Sequence, residues 1–164
     1  MGNFEITNSK IFELDKLLFA LNKWRNENQK IVFTNGCFDI LHYGHINYLA
    51  KAADLGDKLV IGLNSDASVK LLDKGPNRPL QNEKSRATIL AALHFVDAVV
   101  LFEDETPYNL INATQPDVLV KGGDWQPEDI IGHDIVAAKG GQILSIDFVK
   151  GYSTTEIEER IRKS

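Results

Sequence analysis

Two histidines three positions apart, His42 and His45, follow a glycine-bearing turn that itself follows a short apolar run. The run, residues 30–34, is β-branched or aromatic at four of its five positions and reads as a buried strand. After the histidines, apolar side chains at 46, 49, 52 and 53 and a stop at Gly56 give the spacing of a helix. Strand, turn and helix start together make an anion site, because unpaired helix N–H groups and the helix dipole favour negative charge there. With helical geometry in force at that point, positions i and i+3 put both imidazoles on one side, facing the turn.

The rest of the chain predicts where this unit sits. From residue 30 onward, strand-like runs at 31–34, 59–63, 98–102, 118–121 and 143–146 alternate with helix-like runs at 45–55, 66–72, 83–95, 108–114, 127–139 and 154–162. Near-continuous apolar strands separated by helices predict an α/β fold. It is a Rossmann-like, doubly wound parallel sheet of five strands with helices on both faces. Ligands in such sheets bind beyond the carboxyl ends of the strands. The candidate residues all follow strands or open helices. Upstream, Asn8 and Ser9 can cap a helix to about residue 28, striped by Ile11, Leu14, Leu17, Leu18, Leu21 and Trp24. Residues 1–29 therefore read as a helical extension and 30–164 as the core of a single domain. The stripe either packs across the sheet edge or forms a homodimer contact.

Composition removes several classes. A net charge of −5 gives no bulk basic surface for nucleic acid, and no apolar run approaches membrane-spanning length. One cysteine excludes an intrachain disulfide, and no zinc-type cluster is visible, so no protein-held metal is expected. No basic stretch with an apolar follower opens the chain, which makes a cytoplasmic protein the simplest reading. No G-x-G-x-x-G follows the first strand, which disfavours a dinucleotide oxidoreductase. A non-catalytic nucleotide-binding regulator would have no need of both histidines.

The pattern Gly36-x-Phe38-Asp39-x-Leu41-His42-x-Gly44-His45 resembles the signature of the HxGH nucleotidyltransferase superfamily. The resemblance runs from about Lys30 to the C-terminus. Asn64-Ser65-Asp66, Lys121-Gly122-Gly123-Asp124 and Ser153-Thr154-Thr155 fall where that family has its later motifs. The branch it is most similar to is the adenylyltransferases of heptose 1-phosphate. Several cytidylyltransferases carry an arginine shortly before the last motif, whereas residues 148–152 offer only Lys150. The resemblance implies AMP transfer from ATP to a sugar 1-phosphate, with pyrophosphate released. The alternative is a glycerol- or ethanolamine-phosphate cytidylyltransferase using CTP. A 164-residue chain has no room for a sugar kinase as well. A separate kinase then supplies the acceptor, or the chain is a domain of a larger protein.

The chemistry implied is in-line attack on the α-phosphorus, which positioned cations and N–H donors stabilise without a covalent enzyme intermediate. His42, His45 and Lys74 are assigned to the transfer, the last from a loop at 73–80 that also carries Arg78 and otherwise is a plain solvated connection. Nucleotide-binding positions are Cys37, Phe38, Gly44, Gly122, Asp124, Ser153, Thr154 and Thr155. Cys37 is read as a small side chain rather than a nucleophile, and the Ser-Thr-Thr hydroxyls and helix amides take the β- and γ-phosphates, although simple capping would also explain Ser153. Acceptor-binding positions are Asn35, Asp39, Arg86 and Lys121. The rival readings are a turn aspartate for Asp39 and a Glu83 ion pair for Arg86. Trp125 either covers the site or packs. Mg2+ is expected to arrive with ATP.

Overall fold

The computed structural model describes residues 1–72 and 75–164. Its sheet is built by β-branched runs: β1 (Ile11–Phe12), β2 (Ile31–Gly36), β3 (Lys58–Asn64), β4 (Ala98–Phe102), β5 (Val118–Gly122) and β6 (Gln142–Ile146). All strand pairs are parallel, in the order β1-β4-β3-β2-β5-β6. Around them run α1 (Asn3–Asn8), α2 (Leu14–Asn26), α3 (Tyr43–Ala53), α4 (Asp66–Leu71), α5 (Glu83–Ala91), α6 (Tyr108–Thr114), α7 (His133–Ala138) and α8 (Thr154–Lys163).

The period-two alternation of strand side chains sorts the core into two halves. Val32, Leu59, Ile61, Val99, Val118 and Val120 point to one face, where Tyr48, Leu49 and Ala52 of α3 and Ala87 and Leu90 of α5 cover them. Ile31, Phe33, Val60, Ala98, Val100 and Leu119 point to the other, under Leu17 and Leu21 of α2, Leu110 and Ile111 of α6 and Val136 of α7. Each strand buried on both faces reads as an unbroken apolar run, as the sequence showed.

The sheet has six strands rather than five. Residues 11–12 leave the expected long helix and pair with β4, Ile11 opposite Val99 and Phe12 opposite Val100. A two-residue strand is too short to show a period, so Ile11 mimicked a helix position. Ser9 ends α1 instead of opening a helix, and α2 starts only at Leu14. Leu17 and Leu21 are fully buried in the second core half, with Leu18 and Trp24 packed against it, so the stripe serves this chain's own sheet. Two further helices differ. The run at 127–139 divides into a 3₁₀ turn, Pro127–Asp129, and α7, because Gly132 takes φ +86° against the Ile111 side chain. The run at 83–95 stops at Ala91, after which Leu93 and Phe95 fold onto the first core half.

One buried side chain ties the site-bearing turn to this frame. Arg86 of α5 is 1% exposed. Its guanidinium donates to the carbonyls of Gln81 (3.0 Å), Cys37 (2.7 Å) and Asn64 (2.8 Å) and pairs with the Asp66 carboxylate (2.8 Å). It therefore fastens the β2–α3 turn, the end of β3 and the start of α4 to one helix. Arg86→Met would strand three carbonyls and a carboxylate, and breaking a buried pair in this way costs about 3–5 kcal/mol. Urea unfolding should show that loss, with Arg86→Lys between the variant and wild type. An unchanged midpoint for Arg86→Met would contradict the bracing role.

Candidate active site

The site opens where β2 and β5 part. They pair at Val32–Val118 and Phe33–Leu119 and no further. Beyond that point Thr34, Asn35 and Gly36 pair only with β3, and Val120, Lys121 and Gly122 only with β6. This is the switch point of the strand order, where a doubly wound sheet leaves a crevice. Tyr48 of α3 sits in the fork. Its hydroxyl bonds the Thr34 hydroxyl on one strand and donates to the Val120 carbonyl (3.3 Å) on the other. Burial pushes its pKa up to about 12, so it stays a neutral donor. The sequence reading passed over Tyr48, which lies outside the apolar positions 46, 49, 52 and 53.

A cavity of about 540 Å3 fills the crevice, lined by Asn35, Gly36, Cys37, Phe38 and Asp39 from the turn after β2 and by Lys121 and Gly122 from β5. His45, Arg78, Thr154, Thr155 and Glu158 complete its polar wall. The helix α3 begins two residues earlier than expected, with His42 as its N-cap residue. The two imidazoles stack with centroids 3.9 Å apart, and Phe38 packs edge-on against His45 at 5.4 Å. His45 lines the cavity while His42 lies behind it, its Nδ1 buried without a hydrogen-bond partner. Gly44 is needed for space. A Cβ there would lie 3.0 Å from the His42 ring and 3.1 Å from the Tyr152 carbonyl.

Asp39 lines the cavity and Arg86 does not, and both side chains bond to protein groups. The Asp39 carboxylate accepts from the amides of Leu80 and Gln81 (both 2.8 Å) and from Arg78 (2.6 Å). Burial alone would raise its pKa, but these bonds from Gln81, Leu80 and Arg78 outweigh it and hold the group below the usual carboxylate range. Arg78 also reaches Glu158 of α8 at 2.6 Å. In this structure the Asp39 carboxylate anchors the segment at 78–81, and the Arg86 side chain is fully buried. Arg86 does not pair with Glu83, whose carboxylate accepts from the Asp66 amide.

The other expected residues divide in the same way. Thr154 and Thr155 open α8 against the cavity, whereas the Ser153 hydroxyl is held in a capping exchange with Glu156 (3.1 and 3.2 Å). Gly122 lets the Phe148 ring come within 2.6 Å of where a Cβ would stand. Gly123, at φ +117°, turns the chain so that the Trp125 indole donates to the Gly122 carbonyl (3.1 Å). Asp124 is exposed and is not among the residues lining the large cavity. Lys74 lies outside the described residues. Val69, Tyr48, Phe148 and Glu158 join the lining without any sequence signal of their own.

Burial pushes the His42 imidazole below its usual range, and the Glu156 carboxylate offsets this only in part. Above about pH 6.5 the group is neutral in folded and unfolded chains and contributes nothing. As pH falls below that, the unfolded chain takes up a proton that folded His42 resists, so the fold loses stability. His42→Asn removes that loss. Between about pH 7.5 and 5.5, the difference in urea midpoint should move in the variant's favour. A difference that stays constant would show that His42 is not desolvated.

The comparisons with known proteins agree with this geometry. Residues 33–160 match the cytidylyltransferase-like family. The bifunctional protein HldE of Rhodopseudomonas palustris strain HaA2 is 53% identical over 92% of this chain and 30% of its own length. That of Syntrophotalea carbinolica is 54% identical over 93% and 31% respectively. The chain thus spans about a third of the curated relatives it matches. Among solved structures, the lipopolysaccharide core biosynthesis protein of Thermoplasma volcanium superposes with a TM-score of 0.60 at 26% identity, over 76% of this chain and 99% of that one. A pantoate-beta-alanine ligase of Francisella tularensis shares the fold at 18% identity and TM-score 0.54, over 88% and 75%. With its paired histidines, split sheet and match over residues 33–160, the chain belongs to the cytidylyltransferase-like family.

Proposed function

We propose that this chain transfers AMP from ATP to heptose 1-phosphate, giving ADP-heptose and pyrophosphate. The observation that carries this is the convergence of His45, Lys121 and the Thr154–Thr155 start of α8 on one cavity at the sheet's switch point. Substantial identity to the bifunctional HldE proteins and likeness to a lipopolysaccharide core biosynthesis protein support the heptose branch over the cytidylyltransferases. Those relatives are bifunctional by name, and most of their length lies outside the match. A kinase activity there, or on another chain, would supply the 1-phosphate.

In this reading an oxygen of the sugar phosphate attacks the α-phosphorus while the bond to the β-phosphate breaks on the opposite side. The developing charge falls on the equatorial and leaving oxygens. Amides at the start of α8 and its dipole receive the leaving phosphates, and Lys121 lies where the acceptor's phosphate approaches. His45 donates to the phosphate oxygens, with His42 stacked behind it. A polyphosphate raises the pKa of both imidazoles, so charge is gained as the ligand binds. Among the described residues no three His, Cys, Asp or Glu gather into a metal cluster, and Arg78 already faces two carboxylates. Mg2+ is proposed to enter with ATP, where it would offset phosphate charge beside Lys121 and His45.

Replacing a donor that acts mainly in the transition state costs roughly 3–4 kcal/mol, or about 10²–10³ in kcat. His45→Ala should fall by that factor while ATP affinity changes little, and His42→Ala should also turn over poorly. Near-normal kcat in both variants would remove the mechanism.

The choice of substrates is tested by kcat/KM for ATP against CTP, each with heptose 1-phosphate and with glycerol 3-phosphate. ATP with heptose 1-phosphate should exceed every other pairing by more than tenfold, since a site that bonds one base edge leaves groups unpaired with another. A preference for CTP with glycerol 3-phosphate would overturn the heptose reading.

A further inference from the structure

A second cavity, of about 150 Å3, lies beside the large one and is lined by Asn35, Pro107, Lys121, Trp125, Asp129, Ile130 and Ile131. Asn35 and Lys121 line both cavities, so the two meet at the carboxyl ends of β2 and β5. The large cavity takes its apolar lining from the first core half, through Phe38 and Tyr48. The small one takes Ile130 from the second. The two cavities thus draw on opposite core halves of the split sheet and share Asn35 and Lys121.

We propose that the small cavity receives the sugar ring of the phosphorylated acceptor, with Trp125 and Asp129 setting its specificity. This rests on the transfer reading above. Size is the first argument. At about 150 Å3 against about 540 Å3, this is the smaller of the two cavities and suits the smaller of the two ligands, the sugar phosphate rather than the nucleoside triphosphate.

Chemistry is the second. Asp39 and Arg86 spend their hydrogen bonds on the protein, whereas the Asn35 amide and Asp129 carboxylate have no partner among the described residues. They are the polar groups left to meet hydroxyls. Trp125, 45% exposed, is held by two bonds that do not use its ring face: its indole N–H donates to the Gly122 carbonyl and its backbone N–H to the Ser145 hydroxyl, both 3.1 Å. A fixed indole beside a carboxylate and an amide matches a sugar, whose C–H face packs on the ring while its hydroxyls bond the planar side chains.

The chain has two tryptophans, so Trp24→Phe leaves Trp125 as the reporter, and comparison with Trp125→Phe isolates the same signal if Trp24→Phe folds poorly. Heptose 1-phosphate should change Trp125 emission. Asp129→Asn, which keeps the shape, should raise KM for the sugar phosphate roughly tenfold, and Trp125→Ala should raise it further. KM for ATP should stay within about twofold in both. If heptose 1-phosphate is turned over yet emission and its KM do not respond, the assignment of this cavity fails while the function stands. A loss confined to ATP gives the cavity to the nucleotide and overturns the proposal. Failure of heptose 1-phosphate as a substrate with any nucleotide overturns the function, and this inference with it.

Discussion

Everything in this molecule's site depends on two neighbouring strands ceasing to pair. A parallel ladder that ran on past Phe33 and Leu119 would fill the crevice with backbone bonds and leave no place for a ligand. Instead the last residues of β2 turn to β3 and those of β5 to β6, so each keeps one ladder and gives up the other. Opening a sheet in this way exposes donors and acceptors at the fork. The Tyr48 hydroxyl meets part of that demand by bonding both strands at once, and its burial fixes it as a neutral group. The polar residues after the fork, Asn35 and Lys121, are then free of the ladder between β2 and β5 and line the space it vacated.

Charge in the cleft is arranged with restraint. Arg78 brings one positive charge, but Asp39 and Glu158 bring two negative ones to it, at 2.6 Å each. That cluster braces the segment at 78–81 against α8 and adds no attraction for an anion. Lys121, His45 and the Thr154–Thr155 start of α8 line the same cavity. Burial holds the His42 imidazole below its usual range, so charge is disfavoured there, with the Glu156 carboxylate offsetting this only in part. A site built so avoids holding unpaired positive charge in a half-buried cleft, which would otherwise cost desolvation energy.

Much of this was legible in the sequence, and the reasons for the rest are specific. The central strands announced themselves because both their faces are buried, and the turn at 36–45 because glycine and two histidines there have few other uses. The edge strand at Ile11–Phe12 was not legible, since two residues carry no period. The two arginines show what residue type alone leaves open. Family resemblance assigns Arg86 to the acceptor, and in the structure its guanidinium makes four hydrogen bonds to protein groups. Arg78 looked like a loop cation and is a cavity wall. Partners drawn from turns and helices 20 to 80 residues away decide between such readings, and sequence spacing does not contain them.

Gly44 shows what kind of information a motif does carry. Its place between the histidines suggests a turn that only glycine can make, but it lies inside α3, and its constraint is distance. The His42 ring and the Tyr152 carbonyl crowd the position from two sides. Tyr152 belongs to the segment leading into α8, so the glycine between the histidines is what lets the C-terminal helix seat its first turn over the cavity. The same closeness lets Tyr43 and Tyr152 pack, with ring centroids 4.9 Å apart. Two motifs more than a hundred residues apart in the chain thus form one object. The first supplies the imidazoles and the second the amides, and a missing Cβ sets the gap between them. A Cβ at 44 would press on both at once, at 3.0 Å from the His42 ring and 3.1 Å from the Tyr152 carbonyl, so either the ring or the segment before α8 would have to give by a few tenths of an ångström.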